Sequence, residues 1–152
     1  MSNKTEKNSA SIDARYRTML ILWSGQMGSV ALFFFVTQFA EVADDLTPKN
    51  VLSFAFAAVG TFVAIISFVV KSKLLQRAEE KQDVALVQQA LVVSCALSEV
   101  PALLGVVERF MLPGREYLLL LAISLIAMAL HFPRRLHLLA ASYKDSAFGG
   151  SA

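Results

Sequence analysis

The chain has 152 residues, 56% of them hydrophobic and 17% charged, with a mean hydropathy of +0.57; soluble domains carry about 25% charged residues, so the composition is that of a membrane protein. The formal net charge of +2 is too small for a nucleic-acid footprint. A single cysteine, Cys95, excludes an intramolecular disulfide, a CxxC motif and a cysteine-built metal site.

Residues 1–18 are polar and of mixed charge, and they read as a cytoplasmic N-terminal segment. The apolar run 19–40 is the first predicted span. It has full spanning length and ends in Phe and Gln rather than an A-x-A-like site, which argues for a retained helix over a cleaved signal peptide. Ser24 with Gly28, and Gly25 with Ser29, form two overlapping small-xxx-small pairs that permit close helix contact. Gln26 is a candidate interhelical hydrogen-bonding group, and Tyr16 and Trp23 suit an interfacial aromatic belt. The connection 41–50 is acidic and carries Pro48. Its Asp44 and Asp45 lack the ligand spacing of a calcium loop.

The second span covers 51–70, where Ser53, Ala57, Gly60, Ala64 and Ser67 recur at helical spacing and make one side of the helix small. Residues 71–85 are highly charged, rich in helix formers and free of Gly and Pro. The second and third helices are expected to extend into solvent and turn there.

The third span, 88–107, carries one carboxylate, Glu99, near its middle. As a helix this stretch is about 30 Å long, the thickness of the hydrocarbon core. At 100° per residue Gln88, Cys95, Glu99 and Ala102 share a direction, with Ser94, Ser98 and Gly105 beside them. Val93, Leu97, Val100, Leu104 and Val107 point away, toward lipid. Pro101 cannot donate to the carbonyl of Leu97, so an acceptor is freed in the turn that holds Glu99. Pro113 and Gly114 mark a short turn, and a fourth span over 117–132 ends at Pro133. The remainder, 134–152, is a basic juxtamembrane segment with a tail expected to be disordered.

Basic residues set the orientation. Lys4, Lys7, Arg15 and Arg17 precede span one, Lys71, Lys73, Arg77 and Lys81 separate spans two and three, and Arg134, Arg135 and Lys144 follow span four. Only Lys49, Arg109 and Arg115 lie on the other side. The positive-inside rule then places both termini in the cytoplasm, as an even number of spans requires. The expected fold is an all-α integral membrane protein, a bundle of four transmembrane helices over 19–133. The expected location is a bacterial inner membrane.

A charged carboxylate at mid-bilayer costs about 2.5–3.5 kcal/mol on insertion scales. No span contains Lys or Arg, so Glu99 is expected to be neutral. Its candidate partners are Gln26, Gln88, Ser98 and the carbonyl freed by Pro101; the alternative is a water-filled path supplied by another subunit. As interhelical glue such a group contributes about 1 kcal/mol, whereas a functional acid would bind a proton or cation reversibly. His131 and His137 read as interfacial residues. No phosphate-binding loop or nucleophile motif is present, so no enzyme activity, cofactor or metal is expected. The expected partners are the bilayer and other membrane subunits or further copies of the chain.

The segment ALSEVPALLGVV, Ala96 to Val107, resembles the carboxylate-bearing helix of the rotary ATP synthase subunit c, the proteolipid. The resemblance covers roughly residues 51–110 and implies that Glu99 is the ion-binding acid and Gly105 the family's glycine, with Ser53, Ala57, Gly60, Ala64 and Ser67 as a diluted glycine-rich helix. The chain departs from that pattern in three respects: glycine in the small stripe is reduced to Gly60, the loop lacks the Arg-Gln/Asn-Pro signature, and Pro101 follows the acid by two residues rather than three.

Overall fold

The computed structural model describes residues 2–39, 49–112 and 114–142, with side chains placed from Ile12 in the first helix and Val51 in the second. The acidic connection with Asp44, Asp45 and Pro48, the turn residue Pro113 and the tail 143–152 lie outside the described residues. Five helices follow in order: α1 (Ser2–Phe39), α2 (Lys49–Lys81), α3 (Val84–Met111), α4 (Tyr117–Leu130) and α5 (Arg135–Ser142), with no strand among the described residues.

Contacts between helices fix their directions. Ser29 meets Glu99 and Thr37 meets Arg109, so α1 runs parallel to α3. Gly60 faces Pro101 of α3 and Leu120 of α4, while Ser67 meets Ser98 of α3 and His131 at the end of α4, which makes α2 antiparallel to α3 and parallel to α4. Helices pair most of their backbone groups internally, as an apolar solvent demands. Phe54, Phe62, Ile65, Ile21 and Leu130 remain exposed. In water so large an apolar belt would drive aggregation.

Three helices are long and apolar enough to cross a membrane: Ile12–Phe39, Val51–Lys81 and Val84–Met111. The expected fourth span, 117–132, corresponds to a shorter helix. The α-helix closes at Leu130 with His131 as its cap, and its 14 residues rise only about 21 Å, short of the ~30 Å hydrocarbon core. Pro133 disfavours helical backbone at Phe132, and the chain restarts as α5. Only when α4 and α5, bent by 46°, are taken as one broken span does the count reach four.

The charged segment 71–85 resolves into a tight corner. Gln82 adopts φ 53°, and the Asp83 amide donates to the Ala78 carbonyl at 3.1 Å, the six-to-one bond of a Schellman ending. Asp83 then caps α3, its side chain accepting from the Ala85 amide at 2.8 Å. At the opposite corner Leu112 is extended, as the residue before a proline must be.

The centre of the bundle is the α2–α3–α4 contact. A Cβ added at Gly60 would lie 2.6 Å from Leu120 Cδ2 and 3.4 Å from Pro101 Cβ, and one at Gly105 would lie 3.1 Å from the Tyr117 carbonyl oxygen. Gly60, Ala64 and Ser67 are buried, while Ser53 and Ala57 are half-buried nearer the end of the stripe. The small pairs on α1 behave differently. Ser24, Gly25 and Gly28 are exposed, and nothing lies within 4 Å of a Cβ built at either glycine. They pack on no other helix among the described residues, because α1 turns its Trp23 and Ser29 side to the bundle. The Trp23 indole N–H donates to the Met128 carbonyl at 3.0 Å, and its ring packs edge-on against Phe132.

Candidate functional site

Glu99 sits where α1 and α3 meet. It is half-buried, at the edge of the α3 face that buries Leu91, Ser94, Cys95, Ser98, Ala102 and Gly105. The inward direction of α3 is therefore centred on Ser94, Ser98, Pro101 and Gly105, and Gln88 and Glu99 flank it. Val93, Leu97, Val100 and Leu104, expected to face lipid, are half-buried as well, because helices pack on more than one side of α3.

The partner of Glu99 is Ser29. The Ser29 hydroxyl oxygen lies 2.6 Å from Oε1 of Glu99 and 2.7 Å from the backbone carbonyl oxygen of Gln26, one turn earlier on α1. A serine hydroxyl has one proton and a carbonyl has none. If that proton goes to Gln26, the contact with Glu99 is a hydrogen bond only when the carboxyl group is protonated and donates. A neutral Glu99 can donate to Ser29, which makes the two contacts separate hydrogen bonds; an ionised Glu99 takes the serine proton or shares it with the Gln26 carbonyl.

None of the partners expected for Glu99 bonds to its side chain. Gln26 contributes its backbone carbonyl to Ser29, while its side-chain Oε1 is buried with no hydrogen-bond partner among the described residues. Gln88 is half-buried, two turns or more from the acid along α3. Pro101 turns toward Gly60 of α2. Ser98 belongs to a second polar group, donating to the Ser94 carbonyl at 2.9 Å and approaching Ser67 Oγ at 3.2 Å.

That second group joins α2, α3 and α4. Ser67 donates to its own Ala64 carbonyl at 2.6 Å and lies 3.2 Å from Nε2 of His131, and Ser124 donates to the Ser98 carbonyl at 2.6 Å. His131 is fully buried, with its ring against Phe68. With the Ser67 proton given to Ala64, the Nε2–H tautomer donates to Ser67. Nδ1 then holds a lone pair with no partner among the described residues.

A second carboxyl group carried no signal in the sequence beyond marking the end of span three. Glu108 is only 3% exposed, and it lines a cavity of about 260 Å³ with Ser53, Phe54, Ala57, Glu116 and Leu119. The i, i+4 pair Ser53 and Ala57 on α2 and the start of α4 cover it. Its neighbour Arg109 turns away, with Nε donating to the Thr37 carbonyl at 3.2 Å and the guanidinium 5.3 Å from the Tyr117 ring centroid. Among the described residues no three His, Cys, Asp or Glu side chains are grouped to hold a metal ion.

Comparison with protein-family models, with curated proteins and with solved structures finds no match to this chain.

Proposed function

We propose that this chain is a multi-pass membrane protein of four spans, the last one broken at Pro133, with both termini cytoplasmic, and that Glu99 binds and releases a proton within a larger membrane assembly. The single observation that carries this reading is the pair of short contacts at Ser29, to Oε1 of Glu99 and to the Gln26 carbonyl, which a protonated Glu99 would turn into two separate hydrogen bonds. The absence of Lys and Arg from mid-span positions supports it. So does the likeness of Ala96 to Val107 to the acidic helix of the proteolipid subunit c, which on this reading extends to ion binding but not to a rotor ring. The half-exposed position of Glu99 leaves a route by which a proton can arrive from a partner subunit or a water file.

Carbodiimide labelling in native membranes, followed by peptide mass spectrometry, tests the proposal, since the reagent attacks protonated carboxyl groups in apolar surroundings. Glu99 should be modified, and Glu99→Gln should abolish proton flux in reconstituted vesicles. An unreactive Glu99, or flux unchanged in Glu99→Gln, would contradict the proposal.

A second reading, an accessory subunit without transport, is favoured by one feature: Ser24, Gly25 and Gly28 form an exposed small surface on α1 that no other described helix covers. Close approach of a foreign helix is what such a surface permits. Purification in mild detergent should then yield a complex, and a lone monomer would contradict it.

A further inference from the structure

We propose that the groove between the first turns of α2 and α4 and the last turns of α3 binds a primary ammonium group carried on a short carbon chain. Three observations converge there. Oε1 of Glu108 is a buried acceptor with no hydrogen-bond partner among the described residues, on a side chain only 3% exposed. A buried acceptor without a donor is costly and calls for one. Glu116 lies across the same cavity. Neither carboxyl group forms an ion pair with a described residue, and Arg109 is committed to Thr37 and Tyr117. The remaining lining, Phe54, Ala57 and Leu119, is apolar.

The chemistry of the occupant follows from that donor and acceptor count. A primary ammonium has three N–H donors and no acceptor, and the groove offers it Glu108, Glu116 and the hydroxyl oxygen of Ser53. A short alkyl segment then lies along Phe54, Ala57 and Leu119. A quaternary ammonium has no N–H to give Glu108. A calcium ion takes six to eight oxygen ligands, more than two carboxylates and one hydroxyl supply, and the cavity of about 260 Å³ is far larger than a bare ion requires. Two sources carry the required group: a free amine, and the headgroup of an ethanolamine phospholipid, which the position at one end of the bundle would reach. The inference is independent of Glu99, which lies nine residues earlier and on the opposite face of α3.

The test uses the full-length protein in a maltoside detergent. Butylammonium binding is followed by saturation-transfer NMR, and retention of ethanolamine against choline phospholipids by native mass spectrometry. Butylammonium should bind and tetramethylammonium should not displace it. Glu108→Gln should weaken binding about tenfold or more, and Ser53→Ala should weaken it less, while Asp83→Asn, at the other end of the bundle, should have no effect. Preferential retention of the ethanolamine lipid, displaced by butylammonium, would support the proposal with the headgroup as source; butylammonium binding without lipid retention would support it with a free amine as source. The proposal is overturned if neither probe binds, if binding survives Glu108→Gln in a protein that melts like wild type, or if sodium or calcium chloride displaces butylammonium at matched charge concentration. Tighter amine binding in Lys49→Gln would also overturn it, by assigning the groove to the chain's own lysine.

Discussion

At Ser29 one proton faces two acceptors, and this local count makes Glu99 more than an apolar helix's stray acid. Removing the hydroxyl in Ser29→Ala leaves the carboxyl group half-buried without its partner and should cost about 1–3 kcal/mol. Glu99→Gln keeps a donor pointed at Ser29 and should stay within about 0.5 kcal/mol of wild type. Thermal unfolding in detergent, followed by Trp23 fluorescence, separates the two variants; equal losses would mean that the Ser29 contact contributes nothing. Glu99 itself was legible from the sequence because a carboxylate at mid-span has no bland solvated explanation. Its partner was not legible. Which of Gln26, Ser29 or Ser98 reaches it depends on the rotation of α1 about its own axis, and no periodicity in an evenly apolar helix fixes that angle. Glu108 was missed for a related reason, since its burial depends on α3 running on to Met111 and on the start of α4 lying over it.

Among the elements, α2 shows its packing face most plainly. Without a hydrophobic force between helices in lipid, close approach and dispersion hold them together, and small residues permit the approach. Gly60 faces the movable end of Leu120, whereas Gly105 faces the backbone carbonyl of Tyr117. Gly60→Ala should therefore be nearly neutral, as Leu120 can turn aside and alanine favours the helix. Gly105→Ala has a backbone to displace and should be worse. Gly60→Val should cost about 1–3 kcal/mol by wedging α2 from α3 and α4. A melting series that placed Gly60→Val level with wild type would contradict this packing. The spacing of Ser53, Ala57, Gly60, Ala64 and Ser67 made the α2 face readable in advance. The same kind of spacing on α1 faces away from the other described helices at Ser24, Gly25 and Gly28, because small residues permit contact without naming the partner. At α4 hydropathy and helix part company: the apolar run continues through Phe132, while the α-helix closes at Leu130, ahead of Pro133.

Across the whole molecule, charge separates by end. The end at Gln82 gathers Lys73, Arg77, Lys81, Arg134 and Arg135, with Arg135 paired to Asp13 and stacked over Tyr16. That ion pair is exposed on both sides and contributes at most about 1 kcal/mol, so its use is to hold α5 beside α1 rather than to stabilise the bundle. The other end carries Arg109 and Arg115 against Glu108 and Glu116. Between them the long helices expose an apolar belt and enclose the hydroxyl and imidazole group of Ser67, Ser98, Ser124 and His131. Glu99 lies between the two ends, at the one place among the described residues where an acidic side chain meets α1 within the apolar zone. Its protonation state in a bilayer is therefore the decisive property. Infrared spectroscopy of the protein in lipid bilayers at neutral pH, on a Glu108→Gln background, measures it directly. The account predicts a carbonyl stretch of a protonated carboxylic acid that disappears in Glu99→Gln and shifts in Ser29→Ala. A spectrum without that band, or one unchanged by Glu99→Gln, would contradict it.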